Sequence, residues 1–143
     1  MNRVHIFTDG CCKGNPGPGG YGCIIKRGGT VLEFKGASPS TTNNIMEMTA
    51  AIVALQKLTQ PSEVELTSDS QYLIKGVTEW LPGWVRNGWK TADRKPVKNQ
   101  ALWEKLYHLK SIHKIRWHWV RGHSGHPENE RCDALANEAM ADL

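Results

Sequence analysis

The sequence lacks any long apolar run. Its longest, Ala50 to Leu55, is far short of the roughly 20 residues a membrane-spanning helix needs. Cysteine is scarce too. Cys11, Cys12, Cys23 and Cys132 are too few and too irregularly spaced for a disulfide framework. Adjacent Cys11 and Cys12 could be bridged only with strain. Together with His123 and His126, these cysteines match no structural zinc spacing. Internal repeats, low-complexity tracts and linkers are missing, so the expectation is one domain over residues 1–143. With 39% hydrophobic and 22% charged residues, the composition excludes both a disordered tail and a membrane protein. The opening Met1-Asn2-Arg3-Val4-His5 runs straight into strand-like sequence with no signal or transit pattern. A reducing, cytoplasmic setting is expected, and a monomer, since there is no coiled-coil seam or large apolar stripe.

An excess of one charge is also nearly missing: 18 Lys+Arg against 14 Asp+Glu gives +4. Its placement is the informative part. Between residues 84 and 98, Arg86, Lys90, Arg94, Lys95 and Lys98 face Asp93 alone, so this window nets +4 and the rest of the chain nets zero. Trp80, Trp84 and Trp89 border or interleave these cations. Cations among flat aromatic rings on an irregular segment suit contact with a nucleic-acid backbone. A solvated loop with its tryptophans packed inward is the alternative reading.

The patterning predicts an α/β chain. Val4 to Asp9 reads as a buried strand, and residues 13–20 as a turn by composition. Tyr21–Lys26 and Val31–Gly36 form a hairpin about Gly28-Gly29, followed by a polar loop from Ser38 to Thr42. Met48, Ala51, Ile52, Leu55 and Leu58 recur at helical spacing, with Pro61 closing that helix. A strand from about Val64 ends near Asp69, and a short helix runs from Ser70 to Val77. Leu102, Leu106 and Leu109 mark another helix; Ile115, Trp117 and Trp119 mark a last strand. Pro127 opens a C-terminal helix with Cys132, Leu135, Ala136 and Ala139 on one face. The order β-β-β-α-β-α-α-α-β-α makes the first three strands antiparallel in succession and the later two parallel to the first.

That topology gathers four acids. Asp9 ends strand one and Asp69 follows strand four. Glu47 lies early in the helix leaving strand three, and Asp133 lies in the second turn of the last helix. All four should meet at the edge where open α/β sheets place ligands. Taken singly, Asp9 could be a turn residue, Asp69-Ser70 a helix cap, and Glu47 and Asp133 acids favoured by helix dipoles. Together they cannot stay ionised unless some take up protons or cations hold them. Oxygen-only ligands suit Mg²⁺ or Mn²⁺, and two such ions about 3.5–4 Å apart would serve phosphodiester hydrolysis. The Gly-rich stretch 14–22 is no phosphate-binding P-loop, because no Gly-Lys-Ser/Thr ending follows.

An ordered set of motifs extends the reading. Phe7-Thr8-Asp9-Gly10 and Gly14-Asn15-Pro16-Gly17-Pro18-Gly19-Gly20-Tyr21-Gly22 open it. Thr41-Thr42-Asn43-Asn44, Met46-Glu47, Ser68-Asp69-Ser70-Gln71-Tyr72 and Gly88-Trp89-Lys90-Thr91 follow. Trp119-Val120-Arg121-Gly122-His123-Ser124-Gly125-His126-Pro127-Glu128-Asn129-Glu130-Arg131-Cys132-Asp133 closes it. The set resembles type 1 (bacterial-type) ribonuclease H over nearly the whole chain. The resemblance implies a ribonuclease H-like fold, a five-stranded mixed sheet flanked by helices. It implies endonucleolytic hydrolysis of the RNA strand of an RNA–DNA hybrid, leaving 5′-phosphate and 3′-hydroxyl ends. By the same resemblance, Asp9, Glu47, Asp69 and Asp133 hold two Mg²⁺ ions, with Mn²⁺ as a substitute. His123, on a mobile loop, assists proton transfer or product release.

The resemblance also assigns a substrate groove. Asn15, Asn43, Asn44 and Gln71 line it, and backbone around Gly10 and Cys11 approaches the RNA strand. The basic protrusion, about 81–98, grips the DNA strand through phosphate contacts that Arg86, Lys90, Lys95 and Lys98 would make. Trp80 and Trp103 stand near the DNA-facing channel. Thr42 and Asn99 match a phosphate pocket, with Ser40 where the family usually has arginine. Cys11 replaces the more usual serine. The rival readings are another metal nuclease of this fold, a non-catalytic hybrid-binding module, and a structural α/β domain.

Overall fold

The computed structural model describes residues 2–122 and 124–143. Strands β1 (Asn2–Cys12), β2 (Gly17–Arg27) and β3 (Thr30–Thr41) come first, then helix α1 (Asn43–Gln56) and strand β4 (Ser62–Ser68). Helix α2 (Gln71–Lys75) passes through a π turn, Gly76–Trp80, directly into α3 (Leu81–Arg86). Helix α4 (Gln100–Ile112), strand β5 (Lys114–Trp119) and helix α5 (Pro127–Ala141) complete the order.

The sheet runs β3-β2-β1-β4-β5. β2 is antiparallel to β1 and β3, while β1, β4 and β5 are mutually parallel, as the sequence order predicts. The hairpin at Gly28-Gly29 is a two-residue connection, with Arg27 opposite Thr30 and Gly28 at φ 57°. One face carries the main core: Val4, Ile6, Val64 and Leu66 of the sheet against Met48, Leu55, Trp103 and Leu106 of α1 and α4. The other packs α5 on the sheet through Ile24, Cys132 and Leu135. The cysteines are free, and Cys132 is a buried core residue.

Several boundaries differ from the sequence expectation for local reasons. β1 continues past Asp9 to Cys12 because β2 starts at Gly17, giving Cys11 and Cys12 partners in Gly20 and Gly19. The polar stretch after Gly36 is strand, not loop, since Ser38 and Thr41 pair with Gly19 and Gly17 around a bulge. α1 stops at Gln56, before Pro61, with Lys57 as its C-cap. The α1 N-cap is Thr42, whose Oγ1 accepts from the Ile45 amide at 3.2 Å. The basic segment expected to be irregular begins as helix, and Pro82 fits within the first turn of α3. Beyond it the chain folds tightly: Thr91 N donates to Lys95 O and Val97 N to Trp89 O, while buried Val97 anchors the loop. Among the described residues no helix is long and apolar enough to cross a membrane.

Candidate active site

Asp9 stands one residue beyond the last β1–β4 pair, Thr8–Ser68. Its Oδ1 accepts from the Gly10 amide at 2.9 Å, and its side chain is buried. A Cβ at Gly10 would lie 2.5 Å from the Glu47 nitrogen. The missing side chain therefore lets α1 press against β1 and sets Glu47 beside Asp9. At the end of β4, Ser68 Oγ accepts from Ser70 N at 3.0 Å, and Ser70 Oγ caps α2 by accepting from Leu73 N at 3.1 Å. This double turn places Asp69 at the sheet edge. α5 brings Asp133 in, its backbone so close to β2 that a Cβ at Gly22 would lie 2.4 Å from the Cys132 carbonyl oxygen.

One ligand atom each from Asp9, Glu47 and Asp69 lies within 4.8 Å of the others. Asp133 joins them on the wall of one cleft of about 370 Å³. Gly10, Cys11, Asn43, Asn44 and Gln71 line the same cleft, as do Ser70 and Tyr72. Among the described residues no lysine or arginine lines it. Burial, then the neighbouring Asp69 and Asp133 carboxylates, pushes Asp9 up to about 8. Burial, then Asp9 and Asp69, holds Glu47 well above the usual carboxylate range. Burial and the nearby Asp133, Asp9 and Glu47 also push the Cys11 thiol up.

Two buried oxygens, Glu47 Oε1 and Asp69 Oδ1, have no hydrogen-bond partner among the described residues. A buried acceptor in that state needs a proton or a cation. The donor set is all carboxylate at its centre, so the residues present fit a hard divalent cation.

The remaining sequence-predicted residues are distributed around this cleft. Exposed Asn15 accepts from the Asn43 amide at 3.2 Å, which tethers the β1–β2 turn to the start of α1. Asn99 adopts φ 59° before α4 and donates to Tyr72 Oη at 3.2 Å. Trp80 is 37% exposed and packs edge-on to Tyr72. Arg86, Lys90, Lys95 and Lys98 are exposed. Trp103 is a correction. It is fully buried, with Nε1 donating to Tyr72 Oη at 3.3 Å, so it backs the aromatic wall and presents no surface to a ligand. His123 lies outside the described residues.

Sequence reasoning gave Tyr72, Trp119 and Gly122 no contact with the acids: Trp119 marked a strand and Gly122 flanked His123. Tyr72 lines the cleft and receives both Asn99 and Trp103; its one sequence signal was its place beside Gln71. Trp119 and Gly122 both touch Asp69, a contact between two strand ends that no local pattern announces.

The comparisons with known proteins agree with this arrangement. The sequence matches the RNase H family over residues 1–141. It is 60% identical over 141 residues to a ribonuclease H of Chelativorans sp. (strain BNC1), covering 99% of this chain and 87% of that one. It is 62% identical over 138 residues to a ribonuclease H of Geotalea uraniireducens (strain Rf4), covering 96% and 94%. Among solved structures it superimposes on LC9-RNase H1, a type 1 RNase H with the type 2 active-site motif, with TM-score 0.89 and 31% identity, covering 99% of this chain and 74% of that one. LC11-RNase H1 in complex with RNA/DNA hybrid gives TM-score 0.71 and 28% identity, covering 97% of each chain. With a family match over nearly the whole chain, bacterial relatives near 60% identity and the matching sheet, the chain belongs to the bacterial-type ribonuclease H family.

Proposed function

We propose that this chain is an endoribonuclease that hydrolyses the RNA strand of RNA–DNA hybrids with two divalent cations, leaving 5′-phosphate and 3′-hydroxyl ends. One observation carries the reading: a triad of carboxylates, two of them with a buried oxygen that has no partner among the described residues, at the parallel-strand edge of the sheet, in a cleft walled by amides. Asp9, Glu47, Asp69 and Asp133 would hold the cations, and Mg²⁺ or Mn²⁺ fits their oxygen donors. When bound, such ions activate water and stabilise the leaving oxygen of a phosphodiester.

The chain's own groups supply the rest. Asn43, Asn44 and Gln71 present amides that both donate and accept, which suits recognition of a 2′-hydroxyl or a base edge. Asn15, Gly10 and Cys11 extend that surface towards the RNA strand. The basic segment 81–98, with Trp80, Thr42 and Asn99, contacts the DNA strand through phosphates. His123 carries a proton to or from the reacting oxygens, as an imidazole can. The enzyme works as a cytoplasmic monomer.

The test is a labelled RNA–DNA hybrid with Mg²⁺, run beside duplex DNA, duplex RNA and single-stranded RNA. Only the RNA strand of the hybrid should be cut. Cleavage should vanish with chelator, and should fall by at least ~100-fold in Asp69→Asn, as for loss of a main electrostatic group. Cleavage of duplex DNA would instead favour another metal nuclease of this fold. Hybrid binding without cleavage, in Mn²⁺ as well, would favour the binding module.

A further inference from the structure

The end of β5 does more than complete the sheet. After Trp119 the chain keeps following β4: Val120 N donates to Ser68 O at 3.0 Å. Trp119 Nε1 donates to the backbone carbonyl of Asp69 at 3.0 Å, although the indole is 46% exposed. Two residues beyond Val120, Gly122 lies against the Asp69 carboxylate, where a Cβ would meet Oδ2 at 2.6 Å. Gly122 has no left-handed φ to explain it, unlike Gly125 at φ 86°. The close approach, not the turn, is what a Cβ at 122 would disturb, because the Asp69 carboxylate would have to shift away from it.

These contacts hold Asp69 from both ends. One fixes its backbone and the other limits its carboxylate. Among the described residues nothing donates to the buried Asp69 Oδ1, so no hydrogen bond orients that oxygen. Fixing the carbonyl narrows the arc that so short a side chain can reach, and Gly122 bounds that arc on the Oδ2 side.

We infer that Trp119 and Gly122 are positioning residues that clamp Asp69 in the geometry the reaction needs. The inference rests on the hydrolase reading above. It also gives a reason for the exposed tryptophan: its function lies in its N–H, not in burial of its ring.

The test uses two variants of the full chain beside wild type. Trp119→Phe keeps a ring and removes the donor; Gly122→Ala places a methyl against Oδ2. Four quantities are read: kcat and KM on the hybrid, melting temperature without added cation, and Mn²⁺ affinity from the free-ion signal in electron paramagnetic resonance. Trp119→Phe should lose about 3- to 10-fold in kcat, as for one hydrogen bond. Gly122→Ala should lose about 30- to 100-fold, as for a displaced reacting group. In both, Mn²⁺ affinity should fall while KM and the melting temperature stay near wild type. Equal kcat and equal Mn²⁺ affinity in both variants overturn the inference. So does a loss of kcat that only follows a lower melting temperature, or a rise in KM with kcat intact, which would make Trp119 a substrate contact. If wild type itself leaves the hybrid uncut, the functional reading fails, independently of the clamp.

Discussion

A single buried histidine shows how one side chain ties stability to pH. His113 follows α4 and precedes β5, and its Nδ1 accepts from the Ser62 amide at 3.2 Å, joining the starts of β4 and β5. It is buried, and burial lowers its pKa from the ordinary 6.5. The unfolded chain therefore takes up a proton at a pH where the folded chain still resists it. The stabilisation is complete above about pH 6.5 and declines as pH falls through and below that value. His113→Phe leaves the Ser62 amide unpartnered and should cost about 1–3 kcal/mol at pH 8. The gap between wild type and variant should narrow towards pH 5, because only wild type loses this term. Urea unfolding at pH 8, 6.5 and 5 measures it; a gap that widens on acidification contradicts the assignment.

At the scale of an element, the π turn at Gly76–Trp80 is the main departure from what periodicity predicts. Apolar spacing points to a helix ending near Val77, whereas helical backbone continues to Arg86. A π turn inserts one residue into the 3.6-residue repeat, so a pattern keyed to that repeat loses phase there. The turn starts at a tightly packed position. A Cβ at Gly76 would lie 1.9 Å from Trp103 Cη2, and Trp103 is fully buried with no room to yield. Gly76→Ala should therefore destabilise by about 1–3 kcal/mol, or ~3–9 °C in melting temperature, despite the better helix propensity of alanine. An unchanged melting temperature would mean that the helix shifts to make room. The same close packing hid Trp103. The family resemblance set it near the DNA-facing channel, but its burial is decided by α4 lying on Gly76, which is a tertiary fact. By contrast, strand direction and the convergence of the four acids on one sheet edge were legible, because connection length and handedness leave few alternatives. The extension of β3 to Thr41 was not, because Ser38-Pro39-Ser40 carries the composition of a loop and becomes strand only through its partner β2.

The whole molecule separates its charges. Among the described residues no lysine or arginine lines the cleft of Asp9, Glu47, Asp69 and Asp133, while residues 84–98 carry the entire net charge of +4. A phosphate-rich duplex is repelled by the first until cations compensate it, and is attracted by the second. Arg86, Lys90, Lys95 and Lys98 are exposed, and the Lys95–Asp93 pair at 3.8 Å is solvent-accessible on both sides, so these cations remain available for phosphates. Placement, rather than total charge, should then govern hybrid affinity. Replacing those four residues with glutamine brings the formal net charge from +4 to zero. Replacing exposed Arg27, Lys35, Lys105 and Lys114 does the same elsewhere on the surface. The first variant should flatten the dependence of log affinity on log salt by about 0.7–0.9 for each phosphate it no longer neutralises, and raise KM at least ~10-fold near 100 mM salt. Its kcat should stay within about twofold, because the carboxylate cleft is untouched. The second variant should keep most of the wild-type salt slope. Equal slopes in the two variants would mean that hybrid binding responds to net charge alone, and that the basic segment grips nothing in particular.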